Sequence, residues 1–252
     1  MLDEFGFDYV EGGYPGANPT DTAFFSQKRT TRAKFTAFGM TKRAGISASN
    51  DPGLSVLLQA KSDAVCFVAK SWDYHVRVAL GCTNEENLQS IRESVEAARA
   101  AGKEPLVDCE HFFDGYKANP EYALACARTA YEAGARWVVL CDTNGGTQPN
   151  EVRDIVSAVI GSGIPGSSLG IHAHDDTGQA VANSLAAIEA GCRQVQGTLN
   201  GIGERCGNAN LVTLIATLCL KEAYASRFET AIDAERLTGL TRLSHAFDEL
   251  LN

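Results

Sequence analysis

Two histidines one residue apart, His172 and His174 in GIHAHDD (170–176), stand where they could share a ligand. Along a strand, successive side chains point to opposite faces, so residues i and i+2 point the same way. Two neutral imidazoles on one face can begin the shell of a divalent cation, or they can be hydrogen-bonded structural histidines; the spacing alone leaves both open. A second constellation follows in NGIGERCGNANL (200–211). There Gly201, Gly203 and Gly207 permit close backbone approach, and Glu204, Arg205, Asn208 and Asn210 bring four polar side chains into one tight loop that opens a helix.

The elements that must position these groups alternate along the whole chain. Seven apolar or β-branched runs read as strands: FDYVEGG, KFTAFGM, AVCFVAKS, PLVDCEHF, RWVVLCDT, LGIHAHDD and QVQGTLNG. Between them lie segments of helical period. In TNEENLQSIRESVEAARAAGK, Thr83 or Asn84 caps, Leu88, Ile91 and Val95 make a stripe, and Gly102 ends the helix. Asp51-Pro52 and Asn119-Pro120 open two more, with proline at the first helical position. This βαβα order predicts parallel strands joined by right-handed crossovers, in a doubly wound sheet or an eight-fold barrel. Polar, chemistry-bearing residues gather at the ends of the strands: Glu11 to Gly13, Lys70 to Trp72, Asp108 to His111, Asp142 to Gly145, His172 to Asp176 and Asn200 to Glu204. Only a barrel brings all those ends to one mouth, so a (β/α)8 TIM barrel with seven of its eight strands is expected.

Composition bounds the partners. The 252 residues carry 22 basic and 31 acidic side chains, a net charge of −9, with no basic cluster to attract nucleic acid or anionic lipid. The most apolar stretch, LVTLIATLCL, is too short to span a membrane, and no secretory signal opens the chain, so a cytoplasmic protein is expected. Eight cysteines fall singly, without a C-x-x-C pair. They read as reduced thiols, with Cys66, Cys109 and Cys141 as small core residues. Trp72 and His75 read as packing at the mouth, and Lys42-Arg43 as a solvated turn.

IHAHDDTGQAVANSLAAIEAG followed by VQGTLNGIGERCGNANL resembles the metal-binding signature of the Claisen-condensing TIM-barrel enzymes, the group holding isopropylmalate, homocitrate and citramalate synthases. YVEGGYPGANPTDTAFF, KSWDYHV and CEHFFDGYKANPEYA are similar to the citramalate-forming branch. The resemblance implies condensation of acetyl-CoA with pyruvate to (R)-citramalate in branched-chain amino-acid biosynthesis, with a larger 2-oxo acid as the alternative substrate. It implies a divalent cation (Mg2+, Mn2+ or Zn2+) held by His172, His174 and Asn208. It places Thr143, with Asp142 and Arg205, at the oxo-acid carboxylate, Glu110 on the acetyl-CoA side, and Glu204 in the shell around Arg205 and Asn208. It also implies a homodimer for a complete chain.

The group's first strand carries a D-x-T-x-R-D-G-x-Q type segment with an aspartate metal ligand and a catalytic arginine, and no such segment occurs here. The expectation is therefore a partial copy: a catalytic barrel over 1–225 lacking its first strand, and the start of a helical linker over 226–252. A non-catalytic barrel that kept its motifs by descent is the reading from another class.

Overall fold

In the computed structural model, which describes residues 1–29 and 31–251, the seven runs form seven strands: β1 (Tyr9–Glu11), β2 (Lys34–Met40), β3 (Ala64–Lys70), β4 (Glu104–Glu110), β5 (Trp137–Asp142), β6 (Leu169–Ala173) and β7 (Gln194–Gln196). They pair in chain order as one parallel sheet, and among the described residues β1 and β7 do not pair with each other. A parallel neighbour can be reached only by a crossover. Helices supply those between β2 and β7 in turn: Pro52–Gln59, Asn84–Ala100, the pair Phe112–Ala118 and Pro120–Ala133, Pro149–Gly161, and Ala180–Ala190.

Local chemistry starts these helices where the sequence indicates. Of the two candidate caps, Thr83 is the one used: its hydroxyl accepts from Glu86 N at 3.2 Å while Glu86 Oε2 accepts from Thr83 N at 2.8 Å. Asp51 and Asn119 accept from Leu54 N and Tyr122 N, with prolines at the first helical position. Each such cap contributes about 1 kcal/mol.

Alternation sorts the strand residues into two cores. In β5, Val138 and Leu140 pack against the helices, whereas Trp137, Val139 and Cys141 join Ala64, Cys66 and Leu106 inside the curve of the sheet. Hydrogen bonds cross that interior. Trp137 Nε1 donates to Tyr9 Oη at 3.0 Å, linking β5 to β1, and Gln196 Nε2 donates to Asp108 Oδ1 at 2.9 Å, linking β7 to β4. The sheet is therefore curled as a barrel wall, as the convergence of strand ends requires.

Cys66, Cys109 and Cys141 are buried, and burial pushes all three thiols up. Trp72 and His75 pack on one another and on His111. Lys42 is not part of a solvated turn. It is buried, and its ammonium donates to Ile46 O at 2.8 Å and pairs with Glu93 at 3.2 Å, because the segment after β2 is tied onto the helix Asn84–Ala100, where Lys42 N donates to Ser94 Oγ at 2.8 Å. The segment expected as a linker forms the helices Ala234–Thr238 and Leu240–Leu251, whose Leu240 and Leu243 are buried with Phe5, Leu199 and Ile215.

Candidate functional site

The strand ends meet at one mouth, and the interior face of each strand decides which side chains line it. Asp108 and Glu110 share the inward face of β4 with Leu106, and His172 stands on the face of β6 opposite Leu169 and Ile171. His174 continues that face. The two imidazoles lie 5.1 Å apart, centre to centre.

The loop 200–211 brings Asn208 to them. Gly207 (φ 103) lets the chain fold back so tightly that a Cβ there would fall on the Gly201 carbonyl oxygen, and Asn208 N donates to Gly201 O at 3.0 Å. Asn208 then bridges His174 through the backbone. His172 Nε2 is 3.1 Å from Asn208 Oδ1 and His172 Nδ1 is 2.7 Å from Gln196 Oε1. Burial, and then His172 and Arg205, push the His174 imidazole down to about 4, so at neutral pH it keeps a lone pair. Its Nδ1 is buried without a hydrogen-bond partner.

These features fit a cation. Asn208 Nδ2 donates to Ile202 O, so its Oδ1 faces the His172 ring as an acceptor, and an acceptor facing a ring nitrogen is comfortable only with a proton or a cation between. The surrounding charge points the same way. Glu11, Asp108 and Glu110 line the interior with one ammonium among them, Lys70, which pairs with Glu110. Burial pushes the Asp108 carboxyl up. Crowding by protein atoms, and then the Asp108 charge, push Glu11 up to about 8, although water still reaches it along the edge strand. Carboxylates short of counter-charge in this way are what a bound cation relieves. Among the described residues, no three His, Cys, Asp or Glu side chains converge as ligands; the donors that could hold a cation here are two histidines and one amide oxygen.

The oxo-acid candidates separate. Thr143 Oγ1 accepts from His111 N at 2.8 Å, which leaves its own hydrogen free to donate. Asp142, expected beside it as a substrate contact, is on the other face. Only 1% exposed, its carboxylate accepts from Thr147 Oγ1 at 2.7 Å, from Thr147 N at 3.3 Å and from Asn183 Nδ2 at 3.3 Å on the helix Ala180–Ala190. Strand alternation turns it away from the mouth, so it ties a loop to a helix. Arg205, expected at the substrate carboxylate, is a brace as well: its guanidinium forks onto Asp176 at 2.8 and 2.9 Å and donates to Thr143 O at 2.7 Å. It sits at φ 55, a strained conformation held by these bonds. Glu204 lies 3.6 Å from Arg205 with its side chain 82% exposed, so it meets Arg205 but makes no hydrogen bond to Asn208.

Gln196 escapes sequence reading, and Asp108 and His111 enter it only as strand-end residues without a role. Asp108 is an acid inside the apolar run PLVDC, the signal that could have given it a role, whereas Gln196 stands in the polar stretch RQVQGT and carries no such signal. His111, after Glu110, takes φ 55 and holds its buried Nδ1 3.8 Å from Asp114 Oδ2, too long for a hydrogen bond.

Fold and mouth together define a parallel α/β barrel-type protein with a cluster of imidazoles, an amide and carboxylates at the C-terminal ends of its strands. The HMGL-like family model matches residues 1–243, and the chain belongs to that family, whose enzymes are typically dependent on a divalent metal. Over its whole length the chain is 49% identical to the (R)-citramalate synthase of Streptomyces coelicolor, covering 46% of that protein, and 48% identical to that of Aquifex aeolicus, covering 47%. A 2-isopropylmalate synthase of Stenotrophomonas maltophilia is 32% identical over 96% of the chain and 46% of its own length. The chain thus spans about half the length of the curated relatives it matches. Among solved structures, the HMG-CoA lyase of Bacillus subtilis superposes with a TM-score of 0.76 at 18% identity, over 98% of this chain and 83% of that one. The hydroxymethylglutaryl-CoA lyase of Pseudomonas aeruginosa gives 0.75 at 21%, over 98% and 83%. These likenesses establish the fold. No described helix is long and apolar enough to cross a membrane.

Proposed function

We propose that the chain is the condensing unit of a citramalate synthase, joining the acetyl group of acetyl-CoA to pyruvate to give (R)-citramalate and coenzyme A. The observation that carries this reading is the gap in identity: 45–49% to five (R)-citramalate synthases against 32% to 2-isopropylmalate synthases.

The residues support the roles. Thr143 O–H donates to the carboxylate of the 2-oxo acid. His172, His174 and Asn208 would hold a divalent cation, which would supply Lewis-acid polarisation of the ketone. The acetyl methyl must lose a proton to a base. His111, whose backbone N–H donates to Thr143 Oγ1 and whose Nδ1 lies 3.8 Å from Asp114, is the residue we assign to that task. Glu110, paired with Lys70, borders the acyl side. Carbon–carbon bond formation turns the ketone into a tertiary alcohol, and hydrolysis of the thioester releases coenzyme A. Asp176 and Arg205 keep the loops after β5, β6 and β7 in register while this happens.

The test is release of coenzyme A from acetyl-CoA with Mn2+ or Mg2+ and pyruvate, 2-oxoisovalerate or 2-oxoglutarate. It is followed by chromatography, because the protein's own thiols react with thiol dyes. Turnover with pyruvate alone is expected. Preference for 2-oxoisovalerate or 2-oxoglutarate would reassign the chain to a sister synthase, and metal binding without turnover on any acid would favour a non-catalytic barrel.

A further inference from the structure

The two histidines of the pair are not equivalent. His174 Nδ1 has no partner, whereas each ring nitrogen of His172 faces a side-chain amide. The orientation of both amides is set at their far ends. Gln196 Nε2 donates to Asp108 Oδ1 at 2.9 Å, and Asn208 Nδ2 donates to Ile202 O at 3.1 Å. Both amide oxygens are therefore turned towards the His172 ring, and a neutral imidazole has a single N–H to offer them. The closer acceptor is Gln196 Oε1, at 2.7 Å against 3.1 Å.

Gln196 is itself held. It reaches from β7 across the interior to Asp108 on β4, and the Asp108 carboxylate is almost wholly buried, so the amide cannot turn over without putting its oxygen against a buried carboxylate oxygen. Glutamine suits this position for a physical reason: one end must donate to an acid and the other must accept from a ring. A glutamate would set two carboxyl groups together, and an apolar side chain would serve neither neighbour.

We infer that Gln196, anchored by Asp108, is a positioning residue that fixes the Nδ1–H tautomer of His172 and so leaves the Nε2 lone pair beside Asn208 Oδ1 as a preset pair of cation donors. Partners of this kind orient metal-binding imidazoles generally. The tautomer assignment stands on the hydrogen bonds alone; its consequence for a cation rests on the reading of this site given above. His172 is then the member of the pair whose ring is fixed on both sides.

The experiment uses the full chain, labelled with 15N at histidine and stripped with a chelator. Long-range 1H–15N correlation identifies the tautomer of His172, assigned by its loss in His172→Gln. The expected result is Nδ1–H in the wild type and a shift towards Nε2–H in Gln196→Met. An Nε2–H wild type overturns the inference, and so does a folded Gln196→Met with an unchanged tautomer; the wild-type spectrum decides even if the variant fails to fold. Mn2+ affinity, measured by electron paramagnetic resonance, is expected to fall roughly 10- to 100-fold in Gln196→Met. Equal affinity in wild type and variant would overturn the link to the cation. A wild type that shows Nδ1–H but binds no Mn2+ would sustain the tautomer and sink the cation-site reading instead.

Discussion

Asp142 and Thr143 are neighbours in sequence, and exchanging each for alanine should have opposite consequences. Asp142→Ala removes the acceptor for Thr147 Oγ1, Thr147 N and Asn183 Nδ2. Asn183 Nδ2 keeps its bond to Thr147 O at 2.7 Å, so the loss falls mainly on the two Thr147 donors, in a place sealed from water. A buried donor left without a partner costs about 1–3 kcal/mol. Two such donors, plus the small cavity left by the carboxylate, give about 3–5 kcal/mol, of the size expected when a buried polar network is broken. At roughly 2–4 °C per kcal/mol for a chain of this size, Tm should fall by about 6–20 °C. Thr143→Ala loses only a hydroxyl that accepts from His111 N, and its Tm should drop far less. Its effect should appear instead as a raised KM for the 2-oxo acid. Scanning calorimetry beside the coenzyme A release assay separates the two. An Asp142→Ala protein with unchanged Tm and weakened oxo-acid binding would refute the argument from strand alternation.

Other consequences are open to measurement. Asn208→Leu, which keeps the volume and removes the oxygen facing His172, should weaken Mn2+ binding by at least tenfold while the far-UV circular dichroism stays unchanged; calorimetric titration would show it, and unchanged affinity would remove Asn208 from the cation site. Backbone donors from Arg43, Leu54 and Gly53 hold the Asp51 carboxyl below its usual 3.8 despite burial. A depressed carboxyl contributes stability that is present above 3.8 and is lost as the pH falls through its folded value. Asp51→Asn should therefore flatten the acid limb of the stability curve below about pH 4, and denaturant titration over that range would reveal an unaltered limb if the reasoning fails. Gly207→Ala must move the loop, since its Cβ would collide with the Gly201 carbonyl. It should lose metal affinity more than global stability, and crystallography or hydrogen exchange of loop 200–211 would detect a loop left undisturbed. His111→Gln should lower kcat with pyruvate by about 10²-fold or more, the usual contribution of a positioned base. Unchanged kcat would move the proton transfer elsewhere.

The sequence by itself determined the strands, the parallel order and the two motif-bearing loops. Seven runs of strand-like residues, separated by capped helices, admit few packings, and Asp51, Thr83 and Asn119 cap where their local chemistry demands. The H-x-H spacing already implied two imidazoles on one face, because a two-residue period is a property of any strand.

What lay beyond it was the sorting of polar residues between site and scaffold. Asp142 looked like its neighbour Thr143, yet only the packed helix Ala180–Ala190 shows that its face is the buried outer one, where Asn183 and Thr147 claim it. Arg205 looked free to meet an anion until the loop after β6 brought Asp176 against it. Gln196 and Asp108 are 88 residues apart, and neither announces the other. Short-range periodicity fixes which face a side chain takes within its own strand. Partners contributed by other strands and loops are decided only when the sheet curls and the loops fold over its end.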